Sequence, residues 1–178
     1  MISSTFDNCA FTDNSPEGPC YCTRYQMTRE QEDAELWVYG REHENFMRAL
    51  REAAARQIAS GVLQGYLAFV DGMAIGWCNA NDRANFPAVS ANGAQLRAPR
   101  EQREKVVVCF EVAPEYRGMG VATALLERVV SDAATEGYKT VEGFPRKRPG
   151  AMNGISMARC GCMRSLDSSG LPKMRVPS

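Results

Sequence analysis

Residues 105–144 constrain the fold of this chain more than any other stretch. Residues 105–113 are predicted to form a strand that ends at Pro114, and within it residues 106–110 form an unbroken apolar run, which is typical of a strand buried on both faces of a sheet. A glycine-rich turn follows, then apolar residues at helical spacing over 121–136 and a second strand pattern over 138–144. Strand, turn, helix and strand in this order predict a βαβ unit whose two strands are parallel.

Upstream of this unit, the sequence predicts two helices. Thr28 and Gln31 have the spacing of a capping box, which marks a helix N-terminus. Residues 29–60 then carry apolar side chains at helical spacing, and Gly40 divides them into two helices. The second helix is predicted at about residues 42–59.

Between the helices and the βαβ unit, a hairpin is expected. Asp71 and Gly72 separate two apolar, β-prone runs, which is a strong signal for a tight turn between antiparallel strands. Residues 21–27 are predicted to form a short first strand. Residues 81–104 are polar and turn-rich, and we interpret them as a long functional loop.

The two ends of the chain have weaker patterns. We expect a single domain over residues 1–178, with an irregular arm at 1–20 and an atypical tail at 145–178. Within the tail, a short helix at 151–162 and a short last strand at 171–176 are predicted.

Composition argues against several classes of function. Lys plus Arg number 21 and Asp plus Glu number 21, so the formal net charge is zero. Proteins that bind nucleic acid usually carry a basic excess, and the run Arg146-Lys147-Arg148 is interpreted first as a solvated loop. No apolar run approaches the roughly 18 residues that span a bilayer, and residues 1–14 lack a signal-peptide pattern. We therefore expect a cytoplasmic protein that binds neither nucleic acid nor membrane.

Seven cysteines and one histidine do not form a familiar zinc pattern. The close cysteine pairs are Cys-x-Cys, and an odd count without an export signal favours free thiols. We expect no metal, and the alternative is a zinc site that uses Cys9, Cys20 and Cys22.

The glycine-rich turn has the properties of an anion-binding site. Gly118 and Gly120 allow backbone N–H groups to approach a ligand closely, and the following helix N-terminus adds about half a positive charge. Arg117 can add a charge-assisted contact to a phosphate. A Walker loop is absent from the sequence, and a dinucleotide fingerprint is excluded because Thr123 occupies its third glycine position.

These residues resemble a known family. Arg117-Gly118-Met119-Gly120-Val121-Ala122 matches the Arg/Gln-x-x-Gly-x-Gly/Ala motif of the GCN5-related N-acetyltransferases (GNAT). The resemblance extends over residues 64–144. It implies an α/β fold with a mixed, mostly antiparallel central sheet, splayed between two parallel strands and flanked by helices.

The resemblance also implies a co-substrate, acetyl-coenzyme A, lying in the gap between the parallel strands. Its pantetheine arm would bond the backbone at Phe110 and Val112, and the N–H of Val112 would stabilise the oxyanion. The N–H groups that would meet its pyrophosphate belong to Arg117, Gly118, Met119, Gly120, Val121, Ala122 and Thr123.

Two carboxylates are candidates for the catalytic base. Glu111 interrupts the apolar strand beside the expected thioester, and Glu142 lies on the strand across the gap. Strict alternation places Glu111 on one face with Val107 and Cys109. The alternative for each glutamate is a solvated charge without a catalytic role.

The general acid and the acceptor site are less defined. The resemblance implies a tyrosine after the last core strand, but no tyrosine follows Tyr138. The chain offers Cys160 near that place, and Tyr116 or water are the alternatives. Asn79, Asn81 and Asp82 are predicted to bind the acceptor, although such residues also end strands and form turns.

The predicted function is transfer of an acetyl group to a primary amine of a small molecule or peptide. Homodimers are common in the family, so a homodimer is one expected assembly. The alternative is a CoA-binding module with little or no turnover. A third hypothesis is a thiol or metal sensor built on the N-terminal cysteines.

Overall fold

The computed structural model describes residues 21–40, 44–87 and 103–143, together with the backbone of 173–175. These residues form an α/β fold with helices against a mixed sheet. The helices and strands, in chain order, are α1 (Arg29–Glu35), α2 (Glu44–Ala59), β1 (Gly65–Val70), β2 (Met73–Asp82), β3 (Glu104–Val112), α3 (Val121–Thr135), β4 (Thr140–Gly143) and β5 (Lys173–Arg175).

The strands lie in one sheet in the order β1–β2–β3–β4–β5. All neighbouring pairs are antiparallel except β3 and β4, which are parallel. The ladder between these two ends at the pair Val107–Gly143, whereas β3 continues to Val112. Within the described part of the chain, no strand lies against the end of β3 on that side. The predicted mixed, mostly antiparallel sheet with two parallel strands and flanking helices is confirmed.

The predicted helix start is confirmed in detail. The Gln31 N–H donates to the Thr28 hydroxyl at 3.3 Å, and the Thr28 N–H donates to the Gln31 side chain at 2.8 Å. These two bonds satisfy N–H groups that the first turn of α1 leaves without helical partners. Two separate helices follow, as predicted from Gly40, which has a φ of +71°.

The predicted hairpin is also confirmed. Asp71 and Gly72 connect β1 to β2, with φ values of +49° and +79°. Two consecutive residues with positive φ are what a type I′ turn requires, and its twist matches that of the flanking strands.

The first strand predicted at residues 21–27 is wrong. The chain instead forms a 3-10 turn at Thr23–Gln26, after Cys22 adopts a left-handed φ of +56°. The side chain of Asn79 holds this turn, because it donates to the Cys22 carbonyl at 3.2 Å and accepts from Gln26 at 3.0 Å. The side-chain amide of buried Asn79 thus provides hydrogen bonds that a neighbouring strand would provide if residues 21–27 were a strand.

A β-bulge interrupts the pairing of β2 with β3. Asn79 pairs with Cys109 and Ala80 pairs with Val107, so Val108 is an extra residue on β3. A bulge of this kind places two successive side chains on the same face of the strand and bends it.

The bulge places Val107 on the opposite face from the one that strict alternation predicted, while Cys109 and Glu111 still lie opposite Phe110. Val107 packs with Phe110 in the core beneath α3, which we call the α3 core. Cys109 packs instead in the core beneath α2, the α2 core, together with Trp77. Because Glu111 pairs with Trp77, it also lies on the α2 face. The prediction that Val107 shares a face with Cys109 and Glu111 is therefore wrong.

The predictions for 1–20 and 151–162 fall outside the described residues. The loop predicted at 81–104 is described only at its ends, where β2 reaches Asp82, a 3-10 turn covers Arg83–Asn85 and β3 begins at Glu104. The predicted last strand is confirmed as β5, with narrower bounds, and it pairs antiparallel with β4. Among the described residues, no helix is long and apolar enough to cross a membrane.

One glycine determines how closely α3 approaches the sheet. A Cβ atom at Gly76 would lie 2.8 Å from the Cγ1 atom of Val121, the first residue of α3. Since no side chain projects from β2 at this point, the start of α3 lies directly against the strand.

We predict that Gly76→Ala lowers the free energy of unfolding by about 1 to 3 kcal/mol, because the added methyl group forces Val121 to move. Urea denaturation followed by circular dichroism measures this loss. The double variant Gly76→Ala/Val121→Ala removes the clash and should recover most of the stability. A Gly76→Ala protein as stable as the wild type would contradict the assignment of this contact.

Candidate functional site

The end of β3 presents its main-chain groups to the gap beside β4. The Ala113 N–H donates to the Ile75 carbonyl at 2.9 Å, so Gly76 and Val112 form a narrow pair without direct hydrogen bonds. The N–H and C=O of Val112 therefore point away from β2. Phe110, two residues earlier in the same unshifted register, has the same orientation.

The turn after β3 exposes the N-terminus of α3. Gly118 and Gly120 have φ values of +77° and +86°, and the space around both is open. The first bond of the helix runs from the Ala124 N–H to the Gly120 carbonyl at 2.9 Å. The N–H groups of the preceding residues in the first turn have no helical partner, and no side chain caps the helix. This geometry fits an anion.

Arg117 connects the turn to the strand. Its Nε atom donates to the Val112 carbonyl at 2.9 Å, so part of the guanidinium is engaged by the protein itself. The neighbouring Met119 side chain is 69% exposed. Arg117 thus holds the turn beside the end of β3. Two main-chain N–H groups of the turn are engaged within the protein, because that of Arg117 donates to the Pro114 carbonyl at 3.3 Å and that of Met119 donates to the Tyr116 carbonyl at 3.4 Å. The donors that the helix itself does not use are the N–H groups of the first turn of α3.

Glu111 has the environment of a base. It is partly buried on the α2 face, opposite Trp77 across the ladder. Burial raises the pKa of its carboxyl above the ordinary value, and the positive charge of Arg117 opposes part of this rise. A carboxylate with a raised pKa next to the strand edge is suited to accept a proton.

Glu142, the second candidate base, is held by an ion pair. It is 3% exposed and binds Arg83, whose Nε atom also lies 2.8 Å from Glu104. In the parallel ladder Glu142 pairs with Val106, five residues before Glu111, which corresponds to about 16 Å along β3. The two glutamates therefore do not converge on one reacting atom.

The three predicted acceptor residues have structural partners. Asn79 is fully buried and holds the Thr23–Gln26 turn. Asn81 donates to the Val62 carbonyl at 3.0 Å, and its side-chain oxygen accepts from the Asp82 N–H at 2.7 Å. Asp82 in turn accepts from a backbone N–H at 3.0 Å in the next 3-10 turn. Their role in acceptor binding stays a prediction.

The described cysteines are buried thiols. Cys22, Cys78 and Cys109 are all buried, and burial raises the pKa of the Cys78 thiol well above its ordinary value. Residues 21–40, 44–87 and 103–143 contain no cluster of three or more side chains able to hold a metal. Cys9 and Cys20 lie outside the described residues.

Sequence reasoning missed two residues near the gap. Gly76 gave a signal, since a lone glycine inside an apolar strand often marks a close backbone approach. Arg83 gave none, because its partners Glu104 and Glu142 are far along the chain and become neighbours only through the sheet.

The described strands thus form a mixed sheet with one parallel pair, β3 and β4, and a glycine turn connects β3 to α3. The model of the acetyltransferase (GNAT) family matches residues 24–151, and the chain belongs to this family. It is therefore an acetyl-CoA-dependent N-acetyltransferase by class.

Solved structures give weaker likenesses. An acetyltransferase from Vibrio fischeri has 17% identity and a TM-score of 0.39, over 63% of this chain and 84% of the other. The aminoglycoside N-acetyltransferase AAC(6')-Iy in complex with CoA has 20% identity and a TM-score of 0.42, over 61% and 76%. Naa20 of Chaetomium thermophilum, in complex with a bisubstrate analogue, has 19% identity and a TM-score of 0.38, over 55% and 49%. No curated protein matches the sequence.

We predict that Gly120→Ala weakens acetyl-CoA binding at least several-fold, because a β-carbon disfavours the φ of +86° that Gly120 adopts directly before the first turn of α3. Titration calorimetry measures the change. Gly137→Ala is the matched control, since Gly137 has a φ of +80°, is equally open and lies at the other end of α3. Both variants should lose about 1 kcal/mol of stability. Equal affinity of the two variants for acetyl-CoA would refute the assignment of the turn.

Proposed function

We propose that this chain transfers the acetyl group of acetyl-CoA to a primary amine of a small molecule or peptide. The observation that carries the proposal is the open edge of β3, where the N–H and C=O groups of Phe110 and Val112 point away from β2. The uncapped N-terminus of α3 lies directly after that edge. A ligand with an extended amide-containing arm and a pyrophosphate matches both features.

The donor would occupy the edge and the turn together. Phe110 would hydrogen-bond the pantetheine arm, which would continue the sheet in place of a strand. The pyrophosphate would accept hydrogen bonds from the turn. The residues that we assign to it are Arg117, Gly118, Met119, Gly120, Val121, Ala122 and Thr123.

Glu111 is the group best placed to receive the proton of the amine, directly or through a water molecule. The amine nitrogen, once deprotonated, attacks the thioester carbon, and the Val112 N–H donates to the oxygen that gains negative charge. The carbon–sulfur bond then breaks, the acetyl group stays on nitrogen, and the CoA thiolate leaves. Water or Tyr116 is available to protonate the thiolate.

Two measurements test this function in sequence. Titration calorimetry with acetyl-CoA should show binding to one site per chain, and a panel of polyamines, amino sugars, amino acids and short peptides should then release free CoA thiol. Binding without thiol release on the whole panel would instead favour a CoA-binding module. Absence of binding would eliminate both.

We predict that Glu111→Gln lowers kcat by about a hundredfold or more, since it removes the proton acceptor and keeps the shape of the side chain. Burial raises the pKa of Glu111, so its carboxylate forms at a higher pH than that of an ordinary glutamate. In the wild type, kcat/KM should therefore rise with pH through a pKa above the usual glutamate value.

The pH profile of the Glu111→Gln enzyme should lose this rise. Glu127→Gln serves as the control, because Glu127 is exposed on α3 and its change should leave kcat and the profile as they are. An unchanged profile in Glu111→Gln would show that another group accepts the proton.

A further inference from the structure

Arg83 joins three strands at the closed end of the gap. It follows β2 directly, its Nε atom lies 2.8 Å from Glu104 at the start of β3, and its second nitrogen pairs with Glu142 on β4. Glu104 and Glu142 are 7% and 3% exposed. The guanidinium has several N–H groups in a rigid fork, so it can bind both carboxylates at once, which a single ammonium does less well.

The position of Arg83 is itself fixed. It begins the 3-10 turn Arg83–Asn85, whose Ala84 N–H donates to the Asp82 carboxylate at 3.0 Å. The Arg83 carbonyl accepts from the N–H of Phe86 at 3.0 Å, and Phe86 is fully buried. The arginine therefore reaches toward β4 from a rigid base at the end of β2.

The contact lies on the described part of the ladder between β3 and β4. Within the described residues this ladder joins Glu104–Val107 on β3 to Thr140–Gly143 on β4, and Glu142 belongs to its next-to-last pair. Arg83 therefore adds a side-chain link between two strands that also pair through their main chains, and this link influences how β4 lies against β3.

We propose that Arg83 is a positioning residue for acetyl transfer, which sets the width of the gap by fixing Glu142 on β4 against Glu104 on β3. This inference rests on the proposed function, since it assumes that the gap receives the pantetheine arm. It also gives Glu142 a role other than that of a base: its carboxylate anchors β4. The glycine turn to which we assign the phosphates, the phosphate turn, connects β3 to α3 and does not include β4. Replacing Arg83 should therefore weaken binding of the pantetheine arm and leave binding of the phosphates unchanged.

Titration calorimetry with two probes tests the inference. Acetyl-CoA carries the pantetheine arm, the phosphates and the adenosine. Adenosine 3'-phosphate 5'-diphosphate carries the same adenosine and phosphates without the pantetheine arm. In Arg83→Met, the Kd of acetyl-CoA should rise about tenfold or more, while the Kd of the nucleotide stays at the wild-type value. In Arg83→Lys, the Kd of acetyl-CoA should lie between the values of the wild type and Arg83→Met, because a single ammonium replaces the forked guanidinium. Arg56→Met, which breaks an exposed ion pair with Glu35 on the helices, is the control and should change neither Kd.

The outcomes separate the two hypotheses. Wild-type protein that binds neither probe would overturn the proposed function and this inference with it. If the wild-type protein binds both probes and Arg83→Met weakens the binding of both equally, or of neither, the inference alone is overturned. Arg83→Met leaves two buried carboxylates without their arginine and can fail to fold. The uncharged triple variant Arg83→Met/Glu104→Gln/Glu142→Gln avoids that charge imbalance, and it must show the same selective loss of acetyl-CoA affinity for the inference to stand.

Discussion

The described part of the chain pairs β3 with β4 as far as Val107–Gly143, whereas β3 continues to Val112, and the main-chain groups at the end of β3 determine most features of the proposed site. Main-chain N–H and C=O groups need hydrogen-bond partners, and a buried group without one costs about 1 to 3 kcal/mol. Arg117 supplies a partner for the Val112 carbonyl at 2.9 Å. Among the described residues, the N–H groups on the same side face no neighbouring strand. In the function that we propose, an extended ligand with amide groups takes that place and bonds the edge of β3.

The bulge at Val108 decides which face each neighbouring side chain occupies. Because it adds one residue, Phe110 lies on the α3 face and Glu111 on the α2 face. The phosphate turn belongs to α3, so the proposed base and the proposed phosphate site approach the end of β3 from opposite sides of the sheet. The main chain of Val112 lies between them, at the strand edge. An acceptor amine that reaches Glu111 therefore has no need to displace the donor from its turn.

Local patterns predicted most of the fold correctly. The capping box at Thr28, the Asp71-Gly72 hairpin and the glycine turn before α3 are each specified by adjacent residues, and each was confirmed. The errors occurred where the structure depends on distant contacts. Residues 21–27 have the composition of a strand, but buried Asn79 supplies side-chain hydrogen bonds in place of a ladder. The bulge depends on the register between β2 and β3, which a single strand sequence does not encode.

Gly76 and Arg83 show why sequence patterns did not predict how α3 and β4 are positioned relative to β3. Because Gly76 has no Cβ atom, Val121 can lie close to β2, and this contact places the first turn of α3 beside the end of β3. Arg83 acts by charge: it draws Glu142 on β4 to Glu104 on β3. Gly76 thus sets the position of the helix that follows the glycine turn, and Arg83 links the facing strand to β3. Neither residue lies in the glycine motif, and in the function that we propose both set the separation that an extended donor needs. The geometry of the site is therefore a property of the whole sheet, and the glycine motif is the part of it that adjacent residues encode.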